Sequence, residues 1–263
     1  MQRTDETLEL HTALKPGVFA PKPQPASFGA MAAAQGRIEA KLMLRHGEQL
    51  LLNIIIPLAL LVAAAKVPIF GDADFNLIVP MVFAVAASSA GFTGQAIALA
   101  FDRRYGALKR TGASGVPPWV IIAGKILGVL ATVAVQIVVL GGVAAALGWR
   151  VGPAGAILGL ITLLVGVAAF TSLGLLMGGT LSSELVLALA NLIWLVLMGV
   201  LGWVAYSGDL VNAGWWNAVP TVALAGALTA SLQGSFNVLA WVSLILWAAA
   251  GIGLASRWFR FDG

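Results

Sequence analysis

Apolar and polar residues follow one another along this chain in blocks much longer than a strand or a few helical turns. The 23 residues from Leu77 to Leu99 hold no charge, and the stretch from Trp119 to Leu147 holds only Lys125. Each is long enough to cross the roughly 30 Å hydrocarbon core of a bilayer as one helix. The same pattern predicts six spans, at approximately Leu50 to Ala65, Leu77 to Leu99, Trp119 to Leu147, Ala154 to Met177, Leu185 to Tyr206 and Ser235 to Ser256. A membrane β-barrel would instead show segments of about ten residues alternating apolar and polar, which these continuous Leu, Val, Ala and Gly runs do not. The expected fold is therefore an all-α integral membrane protein with a six-span transmembrane domain over residues 50–263.

The remaining segments differ from the spans and from each other. Residues 1–30 are polar and broken by Pro16, Pro21, Pro23 and Pro25, a composition expected to leave a disordered cytosolic tail. Residues 31–49 read as an amphipathic helix, with Arg37, Lys41 and Arg45 four apart on one stripe and Ile38 and Leu42 beside it, expected to lie in the membrane interface with its cations toward anionic lipid headgroups. Between the fifth and sixth spans, residues 207–234 include Asp209, Trp215, Trp216 and Pro220. They also hold an apolar stretch from Val222 to Leu232 that is too short to cross, which predicts an external re-entrant or lid-like element. Glycines at four-residue spacings, Gly124 and Gly128 in the third span and Gly155, Gly159, Gly174 and Gly178 in the fourth, predict helices in close contact.

Composition changes this picture little and charge orients it. Hydrophobic residues make up 60% of the chain and charged ones 10%, with a mean hydropathy of +0.95, too little polar surface to solvate a globule of 263 residues. Thirteen of the 15 lysines and arginines fall before the first span, between Arg103 and Lys125, or in the tail at Arg257 and Arg260; only Lys66 and Arg150 fall on the other side. The positive-inside rule then places both termini and the 100–118 loop in the cytoplasm, in a multi-pass protein of the inner (cytoplasmic) membrane. The first 35 residues lack an apolar core, so no cleavable signal is expected.

Candidate chemistry is sparse. With no cysteine, the chain has no disulfide, thiolate metal site or thiol nucleophile. Gly112-Ala113-Ser114-Gly115 resembles the serine signature of rhomboid intramembrane proteases. The only histidines, His11 and His46, both precede the first span, whereas that family draws its base from a late one. His46-Gly47-Glu48 lacks a second histidine at helical spacing, so no metal site is expected. Gly124-Lys125 is not a phosphate loop, because Trp119 and Ile126 stand where glycine and a hydroxyl would be needed. No acid lies inside a span, which argues against proton coupling by carboxylates and suits an apolar or amphipathic cargo. No catalytic residue and no nucleic-acid partner are expected.

The loop after the second span is the most specific stretch. Arg104-Tyr105-Gly106-Ala107-Leu108-Lys109-Arg110, then Pro117, Trp119 and Gly124-Lys125, keeps the order and spacing of the corresponding loop in membrane subunits of the ABC-type-2 exporter family, which the chain resembles over residues 31–260. Ala107 and Thr111 stand where threonine and leucine are commoner. The resemblance implies a permease subunit whose coupling helix, Asp102, Arg103, Arg104, Tyr105, Gly106, Ala107, Leu108, Lys109 and Arg110, seats on a cytosolic ATP-binding subunit. Arg37, Lys41, Arg45 and Glu184 would contact the same partner. It also implies that ATP and Mg are bound by that partner, with no cofactor in this chain, and that two permease subunits pair as a homo- or heterodimer. Cargo, a drug-like compound, lipid or lipid-linked glycan, would pass beside Ser88, Ser89, Thr93, Gln95, Asn191 and Trp194. A nontransporting anchor or sensor that recruits an ATPase is the alternative reading.

Overall fold

A computed structural model describes residues 26–45, 47–66, 74–113 and 115–258. Among them every regular element is helical: α1 (Phe28–Arg45), α2 (Gly47–Lys66), α3 (Phe75–Ser88), a π-helical turn (Ser89–Gly94), α4 (Gln95–Arg104), α5 (Ala107–Ala113), α6 (Pro118–Ala146), α7 (Pro153–Thr180), α8 (Ser183–Ser207), a 3₁₀ turn (Gly214–Ala218), α9 (Pro220–Leu232) and α10 (Val238–Trp258). α3, the π turn and α4 form one continuous helix of 30 residues, Phe75–Arg104.

Local chemistry accounts for the ends. The Ser27 hydroxyl accepts from the Ala30 N–H at the head of α1, and the Asp74 carboxylate accepts from the Asn76 N–H at the head of α3. Pro118, Pro153 and Pro220 open α6, α7 and α9, where a missing N–H costs nothing and the fixed φ suits the first turn. Pro57 inside α2 and Pro80 inside α3 each remove an intrahelical bond in the first two spans.

Among the described residues five of the six predicted spans are helices long and apolar enough to cross a bilayer, and the first corresponds to α2. Each span begins within a few residues of its expected position, and the second ends beyond it, at Arg104. That helix runs on through Asp102, Arg103 and Arg104, so the charged head of the loop is helical and not extended.

The main core lies between α3, α7, α9 and α10. Pro220 to Ser231 of α9 are all buried, with Val222, Leu224 and Leu228 packed among Phe83, Leu163, Val167, Phe170 and Leu244. The short apolar stretch is thus buried inside the bundle. It packs at the centre of the bundle, where the helices around it cover its apolar side chains. The glycines of α7 are the close contacts their spacing predicts: a methyl on Gly174 would lie 2.6 Å from the Phe92 carbonyl oxygen, and one on Gly178 would strike that of Ala96.

α1 is the expected helix, and it has a packing partner. It runs alongside α6 in the same direction, with Phe28 against Trp119, Gln35 against Gly124, Gly36 against Leu127 and Glu39 against Gly128. The register offset is nearly constant, so α1 follows the first half of α6. Glycines set this: with no side chain at Gly36, Gly124 or Gly128 the two backbones approach closely. The basic stripe Arg37, Lys41 and Arg45 faces outward and is exposed, together with Ile38 and Leu42.

Candidate functional site

The 100–118 loop, the ends of α7 and α8 and the heads of α1 and α6 meet at one end of the bundle. α4 closes at Tyr105-Gly106, where Gly106 takes φ +71°, a left-handed conformation that reverses the chain into α5. α5 is docked by Leu108, which is 3% exposed and packs with Leu99 of α4, Ile121 and Ile122 of α6, Leu175 of α7 and Ala255 of α10. The base of α5 is therefore plugged into four other helices.

The cations of this loop divide into two sets. Arg103 is buried and its guanidinium donates to the carbonyls of Gly178 and Leu181, both at 2.9 Å. These are carbonyls that the end of α7 leaves unpaired, and a cation at a helix C-terminus also answers the macrodipole. Arg104 donates to the Ser183 hydroxyl at 3.2 Å and pairs with Glu184, tying the second span to the head of α8. Tyr105, Lys109 and Arg110 are exposed instead, Tyr105 at 70%, stacked on Phe101 with ring centroids 6.0 Å apart. Of the residues expected to meet a partner protein, Arg103 and Leu108 are turned inward and Arg104 and Glu184 hold each other. The outer face is left to Tyr105, Lys109 and Arg110. Periodicity alone does not resolve this division, since it depends on where α7 ends.

Beneath the loop lies a charge cluster that the sequence did not single out. Lys125, 1% exposed, places its ammonium 3.0 Å from the Glu39 carboxylate of α1 and 2.9 Å from the Asp102 carboxylate of α4. Gln35 donates to the same Glu39 oxygen at 3.0 Å. Asp102 therefore also faces inward. Burying an ammonium costs several kcal/mol unless paired charges and hydrogen bonds surround it, and here two carboxylates do so. Part of the signal was present: a lone lysine in a long apolar run demands an acid, and Asp102 is the nearest one in the sequence, whereas Glu39 is brought in only by the packing of α1 on α6.

The six residues proposed for a cargo route do not form one surface. Ser88 is fully buried, donating to the Val85 carbonyl and accepting from the Trp194 indole N–H at 3.3 Å. Ser89 donates to the Asn53 side-chain oxygen at 3.2 Å. Thr93 and Gln95 are buried beside the π turn, Gln95 against the Met43 sulfur. Ser88, Ser89 and Gln95 thus tie the long helix Phe75–Arg104 to α8, α2 and α1, whereas the buried Thr93 hydroxyl has no hydrogen-bond partner among the described residues. Only Asn191 is exposed, on a face of α8 that also presents Leu192, Leu195 and Val196. Ser114, His11 and His46, the residues bearing on a serine-protease reading, lie outside the described residues.

The family model for the ABC-2 type transporter matches residues 34–233. No curated protein is significantly similar to the chain.

Proposed function

The chain belongs to the ABC-2 type transporter family as a multi-pass membrane permease subunit, and from that premise we propose that it exports a hydrophobic or amphipathic molecule, driven by ATP hydrolysed in a separate cytosolic subunit. The observation that carries this is the build of the loop. Lys109 and Arg110 on the short helix α5, and Tyr105 in the turn before it, are presented outward, while Leu108 fixes α5 against the core and Arg103 and Arg104 tie the end of α4 to the α7–α8 turn. Such a helix passes a push on its tip to the spans through these contacts.

The partner would contribute ATP, Mg and the chemistry, and would meet the cationic tip with acidic residues. A second permease subunit would cover the apolar outer face of α8, with cargo moving beside Asn191. Both termini and the loop are placed in the cytoplasm of a cell whose inner membrane holds the protein, on the strength of the charge asymmetry.

Co-purification from mild detergent with the cognate ATP-binding subunit tests the reading. Lys109→Glu with Arg110→Glu is expected to leave the permease inserted and monodisperse while abolishing capture of that subunit, because like charges are forced together at a partly desolvated contact. Undiminished capture and ATP-dependent cargo movement in the double variant would overturn it. Capture without any cargo movement by the parent protein in proteoliposomes would favour an anchor that recruits an ATPase.

A further inference from the structure

Lys125 neutralises two carboxylates, and the two are not equivalent. The Glu39 side chain is 12% exposed, shares its oxygen with Gln35, and stands on a helix sealed to α6 by Gly36, Gly124 and Gly128. The Asp102 side chain is 41% exposed and stands in the last turn of α4, three residues before the chain reverses into α5. Should Glu39 leave, a charge would be stranded beside apolar helices. Asp102 can turn to water at small cost, because Lys125 keeps one counterion and stays paired.

We infer that Lys125 is a positioning residue for the coupling movement: it holds α1 and α6 permanently as one body through Glu39 and clamps the head of the coupling loop, through Asp102, only in the conformation described here. This rests on the reading of the loop as the ATPase contact, but the clamp itself is a property of the permease alone.

Paired spin labels test it in the full chain in lipid nanodiscs, since the chain has no cysteine to compete for label. One pair, Ala33→Cys with Ala134→Cys, spans α1 and α6; the other, Ala113→Cys with Ala134→Cys, spans α5 and α6. In the isolated permease, Asp102→Asn is expected to broaden the α5–α6 distance distribution and leave the α1–α6 distribution unchanged. Lys125→Arg, which keeps a cation between the carboxylates, is expected to retain the narrow α5–α6 distribution. In the complex with the ATP-binding subunit, vanadate trapping with ATP is expected to shift the α5–α6 distance and not the α1–α6 distance. An unchanged α5–α6 distribution in Asp102→Asn overturns the clamp, and so does an α1–α6 shift on trapping. Neither result in the isolated permease depends on whether Lys109 and Arg110 bind an ATPase, so failure of the clamp and failure of the coupling reading are distinguishable.

Discussion

Leu108 shows at the scale of one residue how function is built into packing. Leu108→Ala leaves Tyr105, Lys109 and Arg110 untouched but opens a cavity among Leu99, Ile121, Ile122 and Leu175. Buried Leu→Ala changes cost about 2–5 kcal/mol, so thermal unfolding in detergent should drop by several degrees and α5 should exchange amide protons faster than the spans. Arg104 offers a reciprocal test. Arg104→Glu alone sets two acids together, and adding Glu184→Arg is expected to restore the contact, read as recovery of α8 amide protection in the double variant. Asp209 gives a pH dependence at the opposite end: its carboxylate accepts from the Asn212 side chain at 2.6 Å and the Val211 N–H at 2.8 Å, which hold its pKa below the usual value. A lowered folded pKa means the ionised form is favoured by folding, so the contribution is present above the unfolded pKa and lost as pH falls through the folded one. Protection of the Val211 amide should exceed that in Asp209→Asn at neutral pH, and the difference should vanish as pH is taken below the ordinary range of about 4. None of these inward directions was legible in the loop's sequence, because a cation's partner is set by where another helix stops.

Among the elements, the spans were legible and their relations only partly so. Long uncharged runs leave no structure but a crossing helix, which is why five helices fall where the pattern puts them. Small residues in α6 and α7 announced close contacts without naming the neighbour. In α1, the stripe of Arg37, Lys41 and Arg45 drew attention to the outward face, while Gly36 and Glu39 made the contact. Gly128→Leu should therefore act on α1: its side chain would be driven into the Glu39 backbone, α1 should separate from α6, and the melting temperature should fall. Gly142→Leu, on the same helix with open space above it, should cost far less. Differential scanning fluorimetry of the two variants checks the contrast.

The molecule as a whole has two unlike ends. One gathers the basic loop, the α7–α8 turn and the heads of α1 and α6, and the other gathers Arg150, Asp209 and the turn from α8 to α9. An impermeant thiol reagent on intact cells is expected to label Asn212→Cys and to spare Ala113→Cys. The reverse would invert the topology derived from the charge asymmetry. The exposed faces of α8 and α10 are apolar, as the surfaces of membrane helices that face lipid are. α9 has a different consequence, for biogenesis. At 13 residues it is too short to be threaded across a bilayer on its own, and the helices it contacts, α3, α7, α8 and α10, include one made after it. Three of these are made before it, so α9 can begin to dock as soon as it is made, and its burial is complete only once α10 joins.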